Sequence, residues 1–110
     1  MTNQHKIIVV LSTCPADSAA PIAHTLVSEG LAACVNQVPG VTSTYQWQGQ
    51  IQSDQEVLLV IKTAADRFEA LKTRILALHP YELPEVIALP VCGAFERYAE
   101  WVQHTVRPVA

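Results

Sequence analysis

The sequence has little positive charge and no cluster of it. Lys and Arg total 7 against 10 Asp and Glu, which gives a net charge of −3, and the cations are scattered singly. Nucleic-acid-binding domains usually carry a basic patch or stripe. Long apolar stretches are also missing, since no run approaches the roughly 20 residues of a membrane-spanning helix. The composition therefore predicts a protein with no nucleic-acid partner and no membrane partner.

Short motifs of enzymes and of preformed metal centres are missing too. The chain has only four glycines, and neither a phosphate-binding glycine loop nor a Gly-x-Ser-x-Gly elbow occurs. No pair of Cys or His has the spacing of a structural zinc site. We therefore expect a protein that is not an enzyme.

Three cysteines without paired spacing favour free thiols in a reducing compartment. The first apolar run, Ile7 to Leu11, is too short for a secretory signal core and lacks a small-residue cleavage site. We interpret that run as a strand and expect a cytoplasmic location.

The length fits one domain, residues 1–110. Half of the residues are hydrophobic and only 15% are charged. Such a composition in a small chain indicates that some apolar surface faces a partner.

Two continuous apolar runs, residues 6–13 and 57–61, predict central strands covered on both faces. A helix between the first run and Gly30 is predicted, with Asp17 or Ser18 as its N-cap and Pro21 in its first turn. Its apolar face comprises Ala19, Ile22, Ala23, Leu26 and Val27.

A long hairpin is predicted after this helix. Residues 31–38 form a strand, Pro39-Gly40 a turn or bulge, and residues 41–47 a second extended stretch. Gln48-Gly49-Gln50 is the turn, and residues 51–63 return. Each arm is about twice the usual 5–6 residues. The overhanging part, with Tyr45, Trp47 and Ile51, needs cover, and a second copy of the chain is the simplest candidate.

The remaining elements are two helices and one strand. Asp66 and Glu69 resemble a capping box, and Pro80 ends the helix that follows. Residues 86–91 form a strand, which Pro90 places at a sheet edge, and a third helix ends before Pro108. The apolar faces of the two helices comprise Phe68, Leu71, Ile75 and Leu78, and then Phe95, Tyr98 and Val102.

The element order is therefore β-α-β-β-α-β-α. Right-handed crossovers bring strands one and three together in the middle of the sheet. The predicted fold class is α/β of the α+β kind, a ferredoxin-like β-α-β-β-α-β sandwich with an extra C-terminal helix and a long β-hairpin.

The segment His79-Pro80-Tyr81-Glu82-Leu83-Pro84-Glu85 is the strongest candidate site. Its prolines stiffen a connector that carries an imidazole, a phenol and two carboxylates, which suit a metal or a subunit interface. His79 is either a metal ligand or a helix-end residue bonded to backbone. Glu85, at the entry to a strand, is preferred over Glu82.

Four other side chains have two interpretations each. Cys14 and Cys34 offer soft thiolates to Cu(I), or pack as small buried hydrophobes. Tyr45 and Trp47 stack on a ligand, or anchor subunit packing as interface aromatics do.

Five blocks of the sequence, in order, resemble the CutA divalent-ion tolerance proteins. They are Leu31-Ala32-Ala33-Cys34-Val35-Asn36, Tyr45-Gln46-Trp47-Gln48-Gly49, Leu59-Val60-Ile61-Lys62-Thr63, the 79–85 segment, and the spacing of Tyr98 and Trp101. The resemblance covers nearly the whole chain. It implies a homotrimer in which the ribbons pair between subunits, with binding of copper or other divalent cations and a role in metal tolerance. It also implies kinship with the PII signalling proteins.

The resemblance also indicates which residues are functional in this chain. It implies a role for Cys34, His79, Tyr81, Glu85 and Trp47. Some family members have a cysteine shortly after the first strand, where this chain has Cys14 beside Pro15, and some have two histidines where this chain has Leu78-His79.

We therefore predict copper or other divalent-metal binding, with His79, Cys14, Cys34 and Glu85 as candidate ligands. Tyr45, Trp47 and Tyr81 are the candidate interface residues. The alternative is a PII-like sensor or scaffold that binds a small anionic ligand or a partner near the 79–85 segment, with Lys62 as a candidate cation.

Overall fold

The computed structural model describes residues 6–106. Four strands, three α-helices and one short 3-10 helix follow one another along them. The strands are β1 (Ile7–Cys14), β2 (Cys34–Trp47), β3 (Gln50–Ala64) and β4 (Ile87–Pro90), and the helices are α1 (Ala16–Ser28), α2 (Phe68–Leu78, preceded by the 3-10 turn Ala65–Arg67) and α3 (Glu96–Thr105). Within this range no helix is long and apolar enough to cross a membrane.

The strands form one antiparallel sheet in the order β2-β3-β1-β4. The two strands with continuous apolar runs, β1 and β3, are the central ones, and β4 with Pro90 is an edge strand. The central position of β1 and β3 and the edge position of β4 are confirmed, and a proline is tolerated at an edge because no neighbour needs its missing N–H. The predicted cover on both faces of the central strands is not complete among residues 6–106, because α1 and α2 lie on one face and α3 covers only one end of the other. The ferredoxin-like arrangement is confirmed.

One face of the sheet packs on α1 and α2 and forms the main core. The alternate residues Ile8, Val10 and Cys14 of β1 point to this face. They meet Leu26 of α1 and Ile75 of α2, both fully buried. The apolar faces of α1 and α2, which follow the helix period, thus pack on the apolar faces of β1 and β3, which follow the strand alternation.

The opposite face is covered at one end only. There α3 buries Val102 against Ile7 and Ala64. The rest of this face carries no helix and is mainly apolar, with the hydrogen-bonded pair Lys62 and Asn36 as a polar exception; we call it the open sheet face. By strand register and alternation it comprises Val9, Leu11, Val38, Leu58, Val60, Ile87 and Leu89. Its β4 residues Ile87 and Leu89 are 49% and 45% exposed.

The predicted long hairpin is present. Residues 41–47 pair with residues 50–56 in a two-stranded ribbon, and a bulge lies between Val38 and Val41. Gly40, at φ +75°, supplies the left-handed backbone of the bulge. The turn consists of Gln48 and Gly49, with φ of 52° and 78°. Two positive φ angles define a type I′ hairpin, so the turn has two residues and β3 already begins at Gln50.

The predicted start of α1 is wrong. The helix begins at Ala16 with Pro15 in the cap position and without a side-chain cap. Asp17 lies in the first turn, where its charge suits the helix N-terminus, and Pro21 lies inside the helix. Val27, expected on the core face, is 43% exposed.

The predicted start of β2 is also wrong. The N–H groups of Leu31 and Ala32 donate to the backbone carbonyl of Leu26 at 2.9 and 3.1 Å. With Gly30 at φ +72°, these residues therefore form the C-terminal cap of α1 and do not belong to a strand. The register with β3 begins at Cys34, opposite Lys62, and the N–H of Ala33 donates to the Lys62 carbonyl at 2.9 Å.

Two helix predictions need correction. The capping box does not form, because Asp66 lies in the 3-10 turn and Arg67 occupies the cap position without a side-chain bond. Phe95 precedes α3 and is 72% exposed, and Tyr98 is 38% exposed. Val102 is buried as predicted. Helix α3 ends at Thr105, and Pro108 lies outside the described residues.

Candidate functional site

His79 is a buried link between the end of α2 and the end of β1. It leaves the helix with an extended backbone, φ −78° and ψ 139°, as the following Pro80 requires. Its Nε2 lies 2.7 Å from the backbone oxygen of Thr13, and its Nδ1 accepts the Tyr81 N–H at 3.2 Å. Because Thr13 offers only an acceptor there, the Nε2–H tautomer satisfies both bonds.

Sheet topology explains why Thr13 needs this bond. Strand β4 pairs with β1 only from Ile8 to Leu11, and Pro90, opposite Ile8, has no N–H to give. The alternation of antiparallel bonding therefore turns the backbone groups of Val9, Leu11 and Thr13 toward the β4 side. Thr13 lies beyond the end of β4, so no residue of that strand can bond to its carbonyl. The His79 imidazole is the hydrogen-bond partner there instead.

Tyr81 connects this segment to the ribbon. Its hydroxyl donates to Oε2 of Glu56 at 2.7 Å, and its ring lies 4.6 Å from the His79 ring, centroid to centroid. Glu56 is a carboxylate with only 7% exposure. Asp54 lies two residues before Glu56 on β3, and its carboxylate accepts a hydrogen bond from the Tyr45 hydroxyl. Each of two phenols thus holds one carboxylate of β3.

Burial, together with the hydrogen bond to Glu56, raises the pKa of the Tyr81 phenol above its ordinary value of 10. A folded-state pKa above the unfolded value adds stability that is complete below pH ~10 and is lost as the pH rises further. We therefore expect the free energy of unfolding of the wild type to fall more steeply between about pH 9 and 11 than that of Tyr81→Phe. Urea titrations across this range measure both slopes, and parallel curves would contradict the expectation.

A cleft of about 890 Å³ lies between the ribbon and the 79–85 segment. Its lining combines three aromatic rings with four carboxylates and contains no Lys, Arg or His. The ribbon wall carries Tyr45, Trp47, Asp54 and Glu56, and the loop wall carries Tyr81, Glu82, Leu83 and Glu85. The cleft is therefore electronegative and suits cations better than anions.

The CutA1 divalent ion tolerance protein family model matches residues 8–105. The chain belongs to this family. The Thermus thermophilus divalent-cation tolerance protein CutA is 51% identical over 96 residues, covering 86% of this chain and 93% of that protein. The human protein CutA is 44% identical over 89% of this chain. This chain spans 55% of the human protein and 56% of the chloroplastic CutA of Arabidopsis thaliana.

Solved structures agree with this membership. CutA from Xylella fastidiosa superimposes with a TM-score of 0.90 at 47% identity, covering 93% of this chain and 99% of that one. The PII-like protein CutA from Nostoc in its apo form gives 0.87 at 37% identity, with 91% and 97% covered. The fold described above is therefore the CutA fold, and it has PII-like relatives.

The two cysteine candidates of this CutA chain lie far apart. Cys14 is fully buried on the helix-covered face, opposite Val57, whereas Cys34 faces the other side, opposite Lys62. Burial, and then the charges of Glu56 and Asp17, raise the pKa of the Cys14 thiol. Since the thiolate is the metal-binding form, this shift, together with full burial, disfavours metal binding by Cys14 in this conformation.

The four predicted metal ligands do not come together in one chain. His79 uses both ring nitrogens in hydrogen bonds, Glu85 is exposed at the cleft, and the two thiols are elsewhere. Among residues 6–106 no group of three or more His, Cys, Asp or Glu side chains could hold a metal ion.

The other candidates are placed more clearly. Tyr45, Trp47 and Tyr81, proposed for an interface, all line the cleft. Lys62 donates to the Asn36 side chain on the opposite side of β3 from the core, and it is not among the cleft residues.

Sequence reasoning missed Asp54 and Glu56, the carboxylates that the two tyrosines hold. The available signal was a glutamate directly before the apolar run 57–61 and in alternation with Leu58, which places a charge in line with the apolar residues of the open sheet face.

Proposed function

We propose that this CutA-family chain works as a homotrimer that binds divalent cations without enzymatic turnover, as part of divalent-cation tolerance. The observation that carries the proposal is the cleft: four carboxylates and no cationic side chain line it. Such a surface concentrates cations by its field. Trimer formation would supply the ligands that one chain lacks.

The open sheet face supports the trimer. Monomeric proteins rarely leave a contiguous apolar surface of this kind uncovered, and α3 covers only its far end. The ribbon adds Ile51, 77% exposed, and Tyr45, 42% exposed. A two-stranded ribbon is marginally stable alone in water, so contact with another copy stabilises both surfaces.

Carboxylate oxygens on the loop wall are the best available cation ligands. Glu82 and Glu85 are exposed and line the cleft, whereas His79 would have to break two hydrogen bonds to bind a metal. Copper remains the first cation to test, because it heads the divalent affinity series for most N and O sites.

Calorimetric titration with Cu(II), Zn(II) and Mg²⁺ tests this assignment. We expect the double variant Glu82→Gln/Glu85→Gln to bind copper about tenfold or more weakly than the wild type, because each glutamate lost removes one charged ligand. The matched control is Asp66→Asn/Glu69→Gln, which also removes two negative charges. Asp66 lies in the 3-10 turn before α2, and Glu69 lies in the first turn of α2. Equal copper affinity in all three proteins would remove the loop wall as the site.

The alternative is a PII-like sensor or scaffold that binds an anionic ligand at this cleft. The fold is compatible with it, but no cationic side chain lines the cleft, and Lys62 is held by Asn36. Binding of a nucleotide or another anion in the same calorimeter, without copper binding, would favour this alternative.

A further inference from the structure

The ribbon wall of the cleft combines aromatic rings with carboxylates on one face. By the register of β2 with β3 and by strand alternation, the side chains of Tyr45, Trp47, Asp54 and Glu56 project from the same side of the ribbon. All four line the cleft. The cation site proposed at the loop wall uses none of them, so the chemistry of the ribbon wall is still unassigned.

Glu56 carries a buried negative charge without a cationic partner. The residue is only 7% exposed, and its Oε2 accepts a hydrogen bond from the neutral phenol of Tyr81. Among residues 6–106 no ion pair involves Glu56, and no Lys, Arg or His lines the cleft. A buried carboxylate without a counter-charge is costly. A cation that enters the cleft would therefore be stabilised at this wall.

The rings decide which kind of cation suits the ribbon wall. Tyr45 and Tyr81 are 42% and 39% exposed, and both line the cleft together with Trp47. Hard metal ions need several oxygen ligands at short distances, and a ring offers none. An alkylammonium group is attracted to the faces of aromatic rings, and this attraction is the usual means of recognising such cations. The ribbon wall therefore favours an organic ammonium over a metal ion.

The two walls place negative charge on both sides of the cleft. Asp54 and Glu56 lie on the ribbon wall, and the exposed side chains of Glu82 and Glu85 lie on the loop wall. Leu83 adds an apolar group to the lining. The volume of about 890 Å³ falls in the range of small-molecule sites. Charge at both walls with apolar groups among them is complementary to a chain of methylenes that carries an ammonium at each end.

We propose that the cleft binds an aliphatic polyamine. One ammonium lies at Asp54 and Glu56 against the aromatic rings, the methylenes cross the cleft, and a second ammonium lies at Glu82 and Glu85. The inference rests on the cation-binding cleft of the proposed function and names a class of organic cation for it. At the loop wall the polyamine and a divalent metal ion would compete for the same carboxylates.

Calorimetric titration of the wild type in an amine-free buffer tests the class of ligand. The probes are 1,4-diaminobutane, 1-butylamine and Mg²⁺. We expect the diamine to bind about tenfold or more tightly than 1-butylamine, which has only one ammonium. We expect a similar margin over Mg²⁺, which carries the same charge but gains nothing from the rings. This series needs no variant, so it tests the proposal even where a substitution impairs folding.

Two substitutions test the ribbon wall. Glu56→Gln should weaken diamine binding about tenfold or more, because it removes the buried charge and keeps the shape of the side chain. Trp47→Leu should weaken it about threefold or more, through loss of the ring. The matched controls are Glu69→Gln on α2 and Phe95→Leu, both exposed and outside the cleft. Each control should stay within about twofold of the wild type.

The outcomes separate the polyamine from the metal. A diamine that binds no more tightly than Mg²⁺ or 1-butylamine, or whose affinity is unchanged in both Glu56→Gln and Trp47→Leu, overturns this inference and leaves copper binding at the loop wall standing. Diamine binding as expected, without copper binding, supports the inference and overturns the metal assignment. A protein that binds neither cation overturns both.

Discussion

Leu89→Lys is expected to be a folded monomer where the wild type is a trimer. Leu89 lies on edge strand β4, on the open sheet face, and is 45% exposed in the single chain. A lysine there reaches solvent in the monomer, and lysine is a common protective residue on edge strands. In an assembly that buries this face, each lysine would lose its hydration, at a cost of several kcal/mol per charge.

The matched control is Leu76→Lys. Leu76 lies on α2 with 49% exposure, so the same substitution changes charge and hydrophobicity equally on a different surface. Light scattering at micromolar concentration should give the mass of three chains for the wild type and Leu76→Lys, and of one chain for Leu89→Lys. A trimeric Leu89→Lys variant would show that the open sheet face is not the interface.

His79→Ala should lower the free energy of unfolding by about 2–5 kcal/mol. It leaves the Thr13 carbonyl and the Tyr81 N–H without their observed partners, and an unsatisfied buried polar group costs about 1–3 kcal/mol. It also removes a ring that packs on Tyr81 and empties a site that is 7% exposed. Because Tyr81 holds Glu56, loosening the 79–85 segment should disturb the cleft as well.

His24→Ala is the control for this variant. His24 is an exposed residue of α1, and its replacement should change stability by no more than about 0.5 kcal/mol. Urea unfolding gives the free energies, and calorimetry on the folded proteins gives copper affinity. We expect copper binding per folded chain to persist in His79→Ala. Full stability with lost copper binding would instead make His79 a metal ligand.

The element pattern of this chain could be predicted because it depends on local chemistry. The apolar runs of β1 and β3 identified the central strands, Pro90 identified the edge strand, and Pro80 ended α2. Element starts were less predictable. Asp17 and Asp66 have the side chains of N-caps, but Pro15 and Arg67 occupy the cap positions, since several neighbouring residues can begin a helix at similar cost.

The sequence predicted which segment carries the candidate site, but not which side chains from other elements contact that segment. The sequence pointed to residues 79–85, which connect α2 to β4, and Tyr81, Glu82, Leu83 and Glu85 of this segment line the cleft. It could not show that the His79 ring bonds to Thr13, 66 positions away, or that Tyr81 holds Glu56, 25 positions away. Such contacts follow from strand order and register, which no local pattern encodes.

Local features of the chain were therefore enough to predict the ferredoxin-like order of elements, the overlong ribbon and the family to which the resemblance pointed. These properties arise from side-chain periodicity, proline and glycine positions, and motif blocks, all of which are local along the chain. The folded structure was needed to show which groups face one another. It separated Cys14 from Cys34 on opposite faces of the sheet, and it turned His79 inward. It also left an apolar face and an acidic cleft uncovered, because burial and charge pairing depend on distances in space.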